Sequence, residues 1–270
     1  MIGFVNSHGS LLKPLDYFGR CFFVIMLKTK GKNKLTEALV KTGSYKHAVL
    51  SDGLCYLSYK DMAYYVESKR KYYSNIDKFN YPCVKPIAYV DECCCVIQPI
   101  ASGRQLTKED VYHLLKSLLS YFRNQKFISK DANDILYYVQ HGDALPGNSW
   151  IDLEGQIFFI DLDELENRPA LFDFFNVICR ICGFELLLRA RNLFREELQS
   201  AFRKHGVKYD DAVYDLYLSK FVSIRFSEID RGYNNGKLYK SMEWVYDQIV
   251  EQEFPITNSL VKQYCQCGSK

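Results

Sequence analysis

The sequence predicts an α+β fold in which an antiparallel sheet with one helix precedes a mainly helical part. Three observations support this prediction. In the first hundred residues, short apolar runs alternate with turn signals, as strands do. Pro99 and Gly103 then interrupt the chain. From Thr107 onwards, apolar residues recur at the spacing of amphipathic helices. We therefore expect two domains, residues 1–100 and residues 101–270.

The first domain is expected to be built from short strands around a single helix. The strands are predicted at residues 17–29 (as one or two), 36–42, 47–50, 54–60, 87–90 and 93–100. The last two form a hairpin that turns at Asp91 and Glu92. Residues 62–73 have a strongly helical pattern and interrupt the strands.

The second domain begins with a helix over residues 107–123, whose apolar residues lie on one face. Residues 131–140 are either a second helix or an extended segment. Two short strands at 151–154 and 156–160 make a hairpin at Gly155. Amphipathic helices are predicted at residues 174–188, 190–205, 210–229 and 241–253.

The most informative segment runs from His141-Gly142-Asp143 through Asn148 to Asp161. The hairpin between Asn148 and Asp161 would bring these two residues close together. Phosphoryl transfer from ATP needs a carboxylate that orients a hydroxyl and accepts its proton. It also needs an amide oxygen and a second carboxylate that hold Mg²⁺ on the phosphates. The segment supplies these groups, so we expect a kinase that uses ATP and Mg²⁺.

The pattern HGDxxPGN followed by IDLD resembles the catalytic and metal-binding segments of the aminoglycoside phosphotransferase and choline kinase superfamily. These small-molecule kinases have a protein-kinase-like fold of two lobes and include sugar kinases of lipopolysaccharide assembly. The resemblance implies that Asp143 is the catalytic base and that Asn148 and Asp161 bind Mg²⁺. It implies that Asp173 supports the catalytic loop. Asp163 is a further candidate for the metal or the acceptor.

The resemblance also assigns the first domain to nucleotide binding, and the second to catalysis and acceptor binding. Kinases place a lysine at the end of a strand to bind the α- and β-phosphates, and a helical glutamate holds it extended. Lys60 and Glu67 fit these positions. Lys41 and Lys46 are rivals for the phosphate-binding lysine, and any of the three could instead be a solvated surface charge.

Two further segments of the first domain are candidates for nucleotide binding. The turn at Gly43 and Ser44 lies where kinases fold a loop over the phosphates, although an ordinary hairpin turn explains it equally well. The segment containing Gln98 and Ile100 is expected to link the lobes and to contact adenine through its backbone. It could also simply end a strand.

Composition restricts the classes of protein. The chain has 48% apolar and 25% charged residues, which is typical of a globular protein rather than a disordered one. A net charge of +3 is too small to indicate a nucleic-acid surface. No apolar run is long enough to span a bilayer, so we expect a cytoplasmic protein and leave peripheral membrane contact open.

Ten cysteines need an explanation. The pairs Cys179/Cys182 and Cys265/Cys267 could be imagined as a zinc site, but the first lies in a helical pattern and the second has an unusual spacing. Buried thiols in a reducing compartment explain the cysteines better.

Two functions remain. The favoured one is a phosphotransferase acting on a hydroxyl of a small molecule or glycan, such as a sugar, an aminoglycoside-like compound or an amino alcohol. The chain has no Ala-Pro-Glu signature and no extended activation segment between Asp161 and Asp173, which argues against a protein acceptor. The alternative is a catalytically idle kinase-fold module that binds a nucleotide or a protein partner.

Overall fold

The computed structural model describes residues 39–42, 46–51, 53–182 and 184–230. Within these ranges the strands are β1 (Leu39–Thr42), β2 (Lys46–Ser51), β3 (Leu54–Tyr59), β4 (Ala88–Val90), β5 (Cys95–Pro99), β6 (Arg104–Gln105), β7 (Ser129–Lys130), β8 (Leu136–Gln140), β9 (Ser149–Ile151), β10 (Ile157–Phe159) and β11 (Glu166–Pro169). The helices are α1 (Met62–Asn75), α2 (Val111–Arg123), α3 (Phe172–Val177), α4 (Phe184–Leu193), α5 (Arg195–Lys204) and α6 (Asp211–Asp230). The predicted strands at 17–29 and helix at 241–253 lie outside the described residues.

The chain divides into two compact units. The first contains the chain up to Ser74 together with Cys83–Ser102, and the second contains Asn75–Pro82 together with the chain from Gly103. The sheet of β1 to β5 therefore belongs to the first unit, and the helices from α2 onwards belong to the second.

In the described part of the first unit, five strands form one antiparallel sheet in the order β1-β2-β3-β5-β4. Alternate residues of the central strand β3 enter two apolar clusters, as the period of two in a strand requires. Tyr56 belongs to one cluster, and Cys55, Leu57 and Tyr59 belong to the other. Tyr65 of α1 packs into the second cluster, so the helix covers that face of the sheet.

The turn between β4 and β5 differs in detail from the predicted hairpin. A short 3-10 turn occupies Asp91–Cys93, and Cys94 then adopts a left-handed backbone with φ +48°. The amide of Cys94 donates to the carbonyl of Asp91. The strands still pair in an antiparallel register, as predicted.

The second unit contains two antiparallel three-stranded sheets among its described strands, in the orders β10-β9-β6 and β11-β8-β7. Strand β8 shows that the segment before the loop containing Asp143 is extended rather than helical. The predicted hairpin is present, since β9 pairs with β10 and Gly155 turns between them with φ +84°.

The helices of the second unit enclose an aromatic core. Helix α5 packs on α2, where the rings of Phe202 and Phe122 meet edge to face at 5.1 Å. The expected helix over 174–188 is divided among α3, the π-helical segment Ile178–Cys182 and α4. Helix α4 continues through the expected break before residue 190, and the chain bends at Phe194 instead, between α4 and α5. The ring of Phe194 is buried against Phe174 and Tyr112. Tertiary packing therefore determines the bend, which has no Gly or Pro to predict it from the sequence.

The described cysteines are thiols. Burial is confirmed for Cys55, Cys93, Cys94, Cys95 and Cys179. Cys83 is half-buried and Cys182 is exposed at the end of the π-helical segment Ile178–Cys182, contrary to the expectation of burial. None of the helices in the described ranges combines the length and the apolarity needed to cross a lipid bilayer.

Candidate active site

The loop that follows β8 is held by the carboxylate of Asp173 in α3. Its Oδ2 accepts the N–H of His141 at 2.9 Å, and its Oδ1 accepts the N–H of Gly142 at 2.8 Å. Asp173 is 1% exposed. Burial raises the pKa of this carboxyl above its ordinary value, while the two backbone amides and the nearby charge of Arg168 act in the opposite direction. Asp173 thus supports the loop at His141 and Gly142, as the resemblance implied.

Gln140, the last residue of β8, ties the same helix to the strands. Its Oε1 accepts the N–H of Asp173 at 3.0 Å. Its Nε2 donates to the carbonyls of Arg168 and Pro169 in β11, at 3.1 and 2.6 Å. Gln140 is fully buried, so its amide satisfies backbone groups that would otherwise lose their hydrogen bonds.

The imidazole of His141 contacts backbone groups through both of its nitrogens. Its Nε2 lies 2.8 Å from the carbonyl of Ile160, and its Nδ1 accepts the N–H of Asp143 at 3.3 Å. These two bonds fit the neutral tautomer with the proton on Nε2. His141 therefore connects the loop to the end of β10.

Gly142 is required by both conformation and space. Its φ of +82° is one that L-residues rarely adopt. A Cβ at this position would lie 2.7 Å from the carbonyl oxygen of Glu164 and 3.0 Å from the Cβ of the same residue. Only glycine lets the chain turn here and present the next side chain.

That next side chain is Asp143, and both of its carboxylate oxygens are bound. Oδ2 accepts a hydrogen bond from Nδ2 of Asn148 at 2.9 Å. Oδ1 accepts one from Nη1 of Arg180 at 2.7 Å. The side chain of Asp143 is 35% exposed, so it can be reached from solvent. The structure thus brings Asp143 and Asn148 together.

The β9–β10 hairpin places Asp161 next to the same loop along the backbone. The N–H of Ile160 donates to the carbonyl of Asn148 at 3.0 Å. Asp161 follows with φ +64°, an uncommon left-handed conformation that turns the chain sharply into a 3-10 turn. Asp163 lies in this turn and is buried.

The donor set near the loop fits Mg²⁺. Nδ2 of Asn148 donates to Asp143, which leaves Oδ1 of the amide as the oxygen for a cation. Mg²⁺ takes one or two protein carboxylates and fills its other positions with phosphate oxygens and water. Asn148 and Asp161 are the residues that could supply such a small set. In the described ranges, no group of three or more His, Cys, Asp and Glu could hold a metal ion.

Three residues near the loop were not found from the sequence. Arg180 comes 37 residues after the Asp143 that it binds. Asn176 donates from Nδ2 to the carbonyl of Gly142 at 3.2 Å, and Arg225 of α6 reaches the same carbonyl at 3.3 Å. Nothing in their spacing could have pointed to them, because they lie in helices where such residues are usually surface charges or caps.

The residues predicted to bind the nucleotide belong to the first unit. Lys60 lies directly after β3. Both oxygens of Glu67 bind Arg70 one turn further along α1, at 2.6 and 2.8 Å. The partner of Glu67 in this structure is therefore Arg70, and the pairing with Lys60 stays a prediction. The rival Lys46 has its ammonium 5.4 Å from the ring centroid of Tyr59.

The predicted adenine segment is the end of β5. Gln98 is buried and pairs with Cys55 of β3. The N–H of Ile100 donates to the carbonyl of Gly53 at 2.9 Å, so this amide is not available to a base. Gly43 and Ser44 lie outside the described residues.

Comparisons with known proteins find similarity in structure rather than in sequence. No protein-family profile matches the chain, and no curated protein does. The streptomycin–ATP–APH(2″)-IIa complex matches with a TM-score of 0.57 and 12% identity over 87% of this chain and 97% of the other. Choline kinase LicA from Streptococcus pneumoniae matches with a TM-score of 0.54 and 10% identity, over 86% and 99%.

A choline/ethanolamine kinase family protein from Mesorhizobium loti matches with a TM-score of 0.52 and 10% identity, over 91% and 98%. At these identities the likeness concerns the fold, and it spans nearly the whole length of each of these proteins. The predicted α+β, protein-kinase-like fold is thus confirmed. The chain has the fold of the aminoglycoside phosphotransferases and choline kinases, as the HGDxxPGN pattern indicated.

Proposed function

We propose that the chain is a phosphotransferase that moves the γ-phosphate of ATP to a hydroxyl group of a small molecule or glycan. The observation that carries the proposal is the carboxylate of Asp143, half-exposed on a loop whose backbone is fixed by buried Asp173. A group that takes a proton must be positioned to within about 0.5 Å, and a supporting shell of hydrogen bonds provides this.

In the proposed reaction, Asp143 accepts a hydrogen bond from the acceptor hydroxyl and directs its oxygen towards the γ-phosphorus. The new O–P bond forms while the bond from the γ-phosphorus to the β,γ-bridging oxygen breaks. The hydroxyl proton passes to Asp143, and ADP leaves. Nδ2 of Asn148 keeps Oδ2 of the carboxylate in place throughout, so Oδ1 is the oxygen that meets the hydroxyl.

Mg²⁺, when bound with ATP, neutralises the phosphate oxygens, and Asn148 and Asp161 would hold it, with Asp163 as a further candidate. For the nucleotide we propose Lys60 at the α- and β-phosphates, supported by Glu67. Gly43 and Ser44 would cover the phosphates, and Gln98 and Ile100 would contact adenine. The contact from Ile100 is restricted to its carbonyl, because its amide is bound to Gly53.

The similar folds support this choice. The names of the proteins with similar structures include three small hydroxyl compounds, which are choline, ethanolamine and streptomycin. One of these names also includes ATP. The acceptor side of the site would be formed by the loop and the helices α3 and α6, because Asn176 and Arg225 reach the loop from there.

The test is transfer of labelled γ-phosphate from ATP by wild type and by Asp143→Asn, over a panel of sugars, sugar acids and amino alcohols. Loss of a general base typically lowers turnover by about 100- to 10,000-fold. We expect a loss in this range with an unchanged unfolding temperature. Exposed Asp77→Asn is the matched control and should keep wild-type turnover. A variant at Asp143 that keeps more than a tenth of the turnover would exclude this residue as the base.

Two contacts favour the second candidate, a kinase-fold module that binds a nucleotide without turnover. Arg180 occupies an oxygen of Asp143, and Arg70 occupies Glu67. A titration of unfolding temperature with ATP, with and without Mg²⁺, separates the two functions, because a ligand of the folded state stabilises it. Stabilisation by ATP without transfer to any hydroxyl of the panel supports the idle module.

A further inference from the structure

The contact between Arg180 and Asp143 bears on the acceptor. We propose that Arg180 recognises an oxyanion on the acceptor, so that the acceptor is a hydroxyl compound that also carries a carboxylate or phosphate group. This inference rests on the proposed phosphotransferase function and names the class of its acceptor.

The geometry leaves one oxygen of Asp143 for the acceptor. Oδ2 is held by Asn148 at 2.9 Å, and the same amide nitrogen also binds the backbone carbonyl of Asp143 at 3.0 Å. Oδ1 is held by the end of a long, partly exposed side chain, Nη1 of Arg180 at 2.7 Å. A hydroxyl that gives its proton to Asp143 must come within about 2.6 to 3.2 Å of the carboxylate. It therefore arrives next to the guanidinium.

The position of Arg180 suits recognition of a ligand. It lies in the π-helical segment Ile178–Cys182, and such segments inside helices are frequent at functional sites because the extra residue changes the direction of the side chains. Its side chain is 36% exposed, so it is both in contact with Asp143 and open to solvent. A guanidinium has five N–H donors in a planar fork that matches carboxylate and phosphate.

The charge around the loop points in the same direction. Arg225 donates to the carbonyl of Gly142 at 3.3 Å, so two guanidinium groups contact the loop, Arg225 there and Arg180 at Asp143. A cationic acceptor would meet repulsion from Arg180 at the moment when its hydroxyl reaches Asp143. An oxyanion near the hydroxyl would instead draw the guanidinium away from Oδ1 and free that oxygen. Choline and ethanolamine, named in similar structures, are cations, so this chain would differ from them in its acceptor.

The experiment uses acceptors that share a carbon skeleton and differ in charge, because one hydroxyl-bearing position of the neutral compound carries a carboxylate, a phosphate or an amine instead. One set is glucose, glucuronate and glucosamine. The other is glycerol, glycerate, glycerol 3-phosphate and 3-amino-1,2-propanediol, in which glycerate and glycerol 3-phosphate separate a carboxylate from a phosphate. Binding of each compound is measured by calorimetric titration to wild type, Arg180→Gln, Arg180→Lys and Arg180→Glu. Exposed Arg203→Gln, on the helix α5 that packs on α2, removes the same charge elsewhere.

We expect wild type and Arg203→Gln to bind at least one anionic compound about tenfold or more tightly than its neutral and cationic counterparts, as a charge-assisted hydrogen bond provides. Arg180→Gln should bind all members of a set to within about twofold. Arg180→Lys should keep part of the preference, and Arg180→Glu should favour the cation. Equal binding of all members by wild type, tighter binding of a cation, or a preference for anions that survives in Arg180→Gln would overturn the inference.

Turnover distinguishes this inference from the function on which it rests. Transfer of phosphate that is fastest to glucosamine or to the amino diol, and unchanged in Arg180→Gln, contradicts the role of Arg180 and leaves the phosphotransferase function intact. A preference for anions in binding without transfer to any hydroxyl contradicts the phosphotransferase function instead. Arg180→Gln must unfold at the wild-type temperature. If it does not, the comparison is made with Arg180→Lys, which should retain the fold but lacks the planar fork that fits an oxyanion.

Discussion

The loop that begins at His141 and helix α1 depend on charged groups in opposite surroundings. In the loop, Asp173 is buried and binds two backbone amides. In α1, the ion pair between Glu67 and Arg70 lies on the surface, with side chains 42% and 64% exposed. Both sets of residues are proposed to serve phosphoryl transfer. Their surroundings determine how firmly each is held before a nucleotide arrives.

The two regions differ in how firmly their hydrogen bonds hold them before a ligand binds. A buried amide that loses its acceptor costs about 1 to 3 kcal/mol, so the loop cannot rearrange without losing much of the stability of the fold. An exposed ion pair contributes about 0 to 1 kcal/mol, so Glu67 can exchange Arg70 for another cation at little cost. The loop is therefore held in its conformation before any ligand binds. The proposed pair of Lys60 and Glu67, in contrast, would form when ATP binds.

Asp173→Ala should have the largest effect on stability. It leaves the amides of His141 and Gly142 buried without an acceptor, at about 1 to 3 kcal/mol each. Turnover should fall as well, because the loop no longer holds Asp143. Urea unfolding measures the first effect and phosphate transfer the second. Asp173→Asn, which keeps one acceptor oxygen, should lose less stability, and equal losses for the two variants would contradict this account of the loop.

Gly142→Ala and Gly155→Ala form the next comparison. Both glycines have φ near +80°, but a Cβ at Gly155 would meet nothing within 4 Å, whereas one at Gly142 would meet Glu164. The left-handed backbone alone costs an L-residue about 1 to 2 kcal/mol. Gly142→Ala should therefore cost clearly more than Gly155→Ala in urea unfolding, and only Gly142→Ala should lower turnover. Similar free energies for both would show that the loop can move aside.

Lys60→Met tests the proposed contact between Lys60 and the phosphates of ATP. If Lys60 binds the phosphates, its loss should raise KM for ATP and lower kcat, because the contact strengthens as charge develops on the departing ADP. Lys46→Met is the matched control on a neighbouring strand and should be nearly neutral. The reverse result, with Lys46 essential and Lys60 dispensable, would move the phosphate-binding lysine to β2.

Glu67→Gln should have the smallest effect. The free energy of unfolding should change by less than about 1 kcal/mol, because only an exposed pair with Arg70 is lost. KM for ATP should rise mildly, and the double variant with Lys60→Met should be non-additive if the two residues act together. Strict additivity would show that Glu67 does not support Lys60.

The sequence predicted those parts of the site that depend on local spacing. Asp143 and Asn148 lie five residues apart on one loop, and the hairpin that follows returns the chain to it. Turn signals at Gly155 and alternating apolar residues are enough to predict this arrangement. Asp173 was identified through the family resemblance, and its contacts with the loop confirm it.

The parts that were missed depend on tertiary packing. Arg180 is aimed at Asp143 by a π-helical segment that has no sequence signature. Arg225 reaches Gly142 across 83 residues, and its guanidinium stacks on the ring of Phe172 at 4.7 Å. The bend at Phe194 likewise follows from ring packing rather than from a helix-breaking residue. Such contacts are fixed by the assembled core and are not encoded in any short window.

The proposed binding of ATP with Mg²⁺ at Asp161 can be tested without knowledge of the acceptor. The measurement is calorimetric titration of ATP into wild type and Asp161→Ala, each with and without Mg²⁺. We predict that Mg²⁺ tightens ATP binding to wild type and that Asp161→Ala loses this coupling while it keeps its fold, because the cation loses one of its few protein carboxylates. Wild type that binds no ATP, or coupling that is unchanged in Asp161→Ala, would contradict the account.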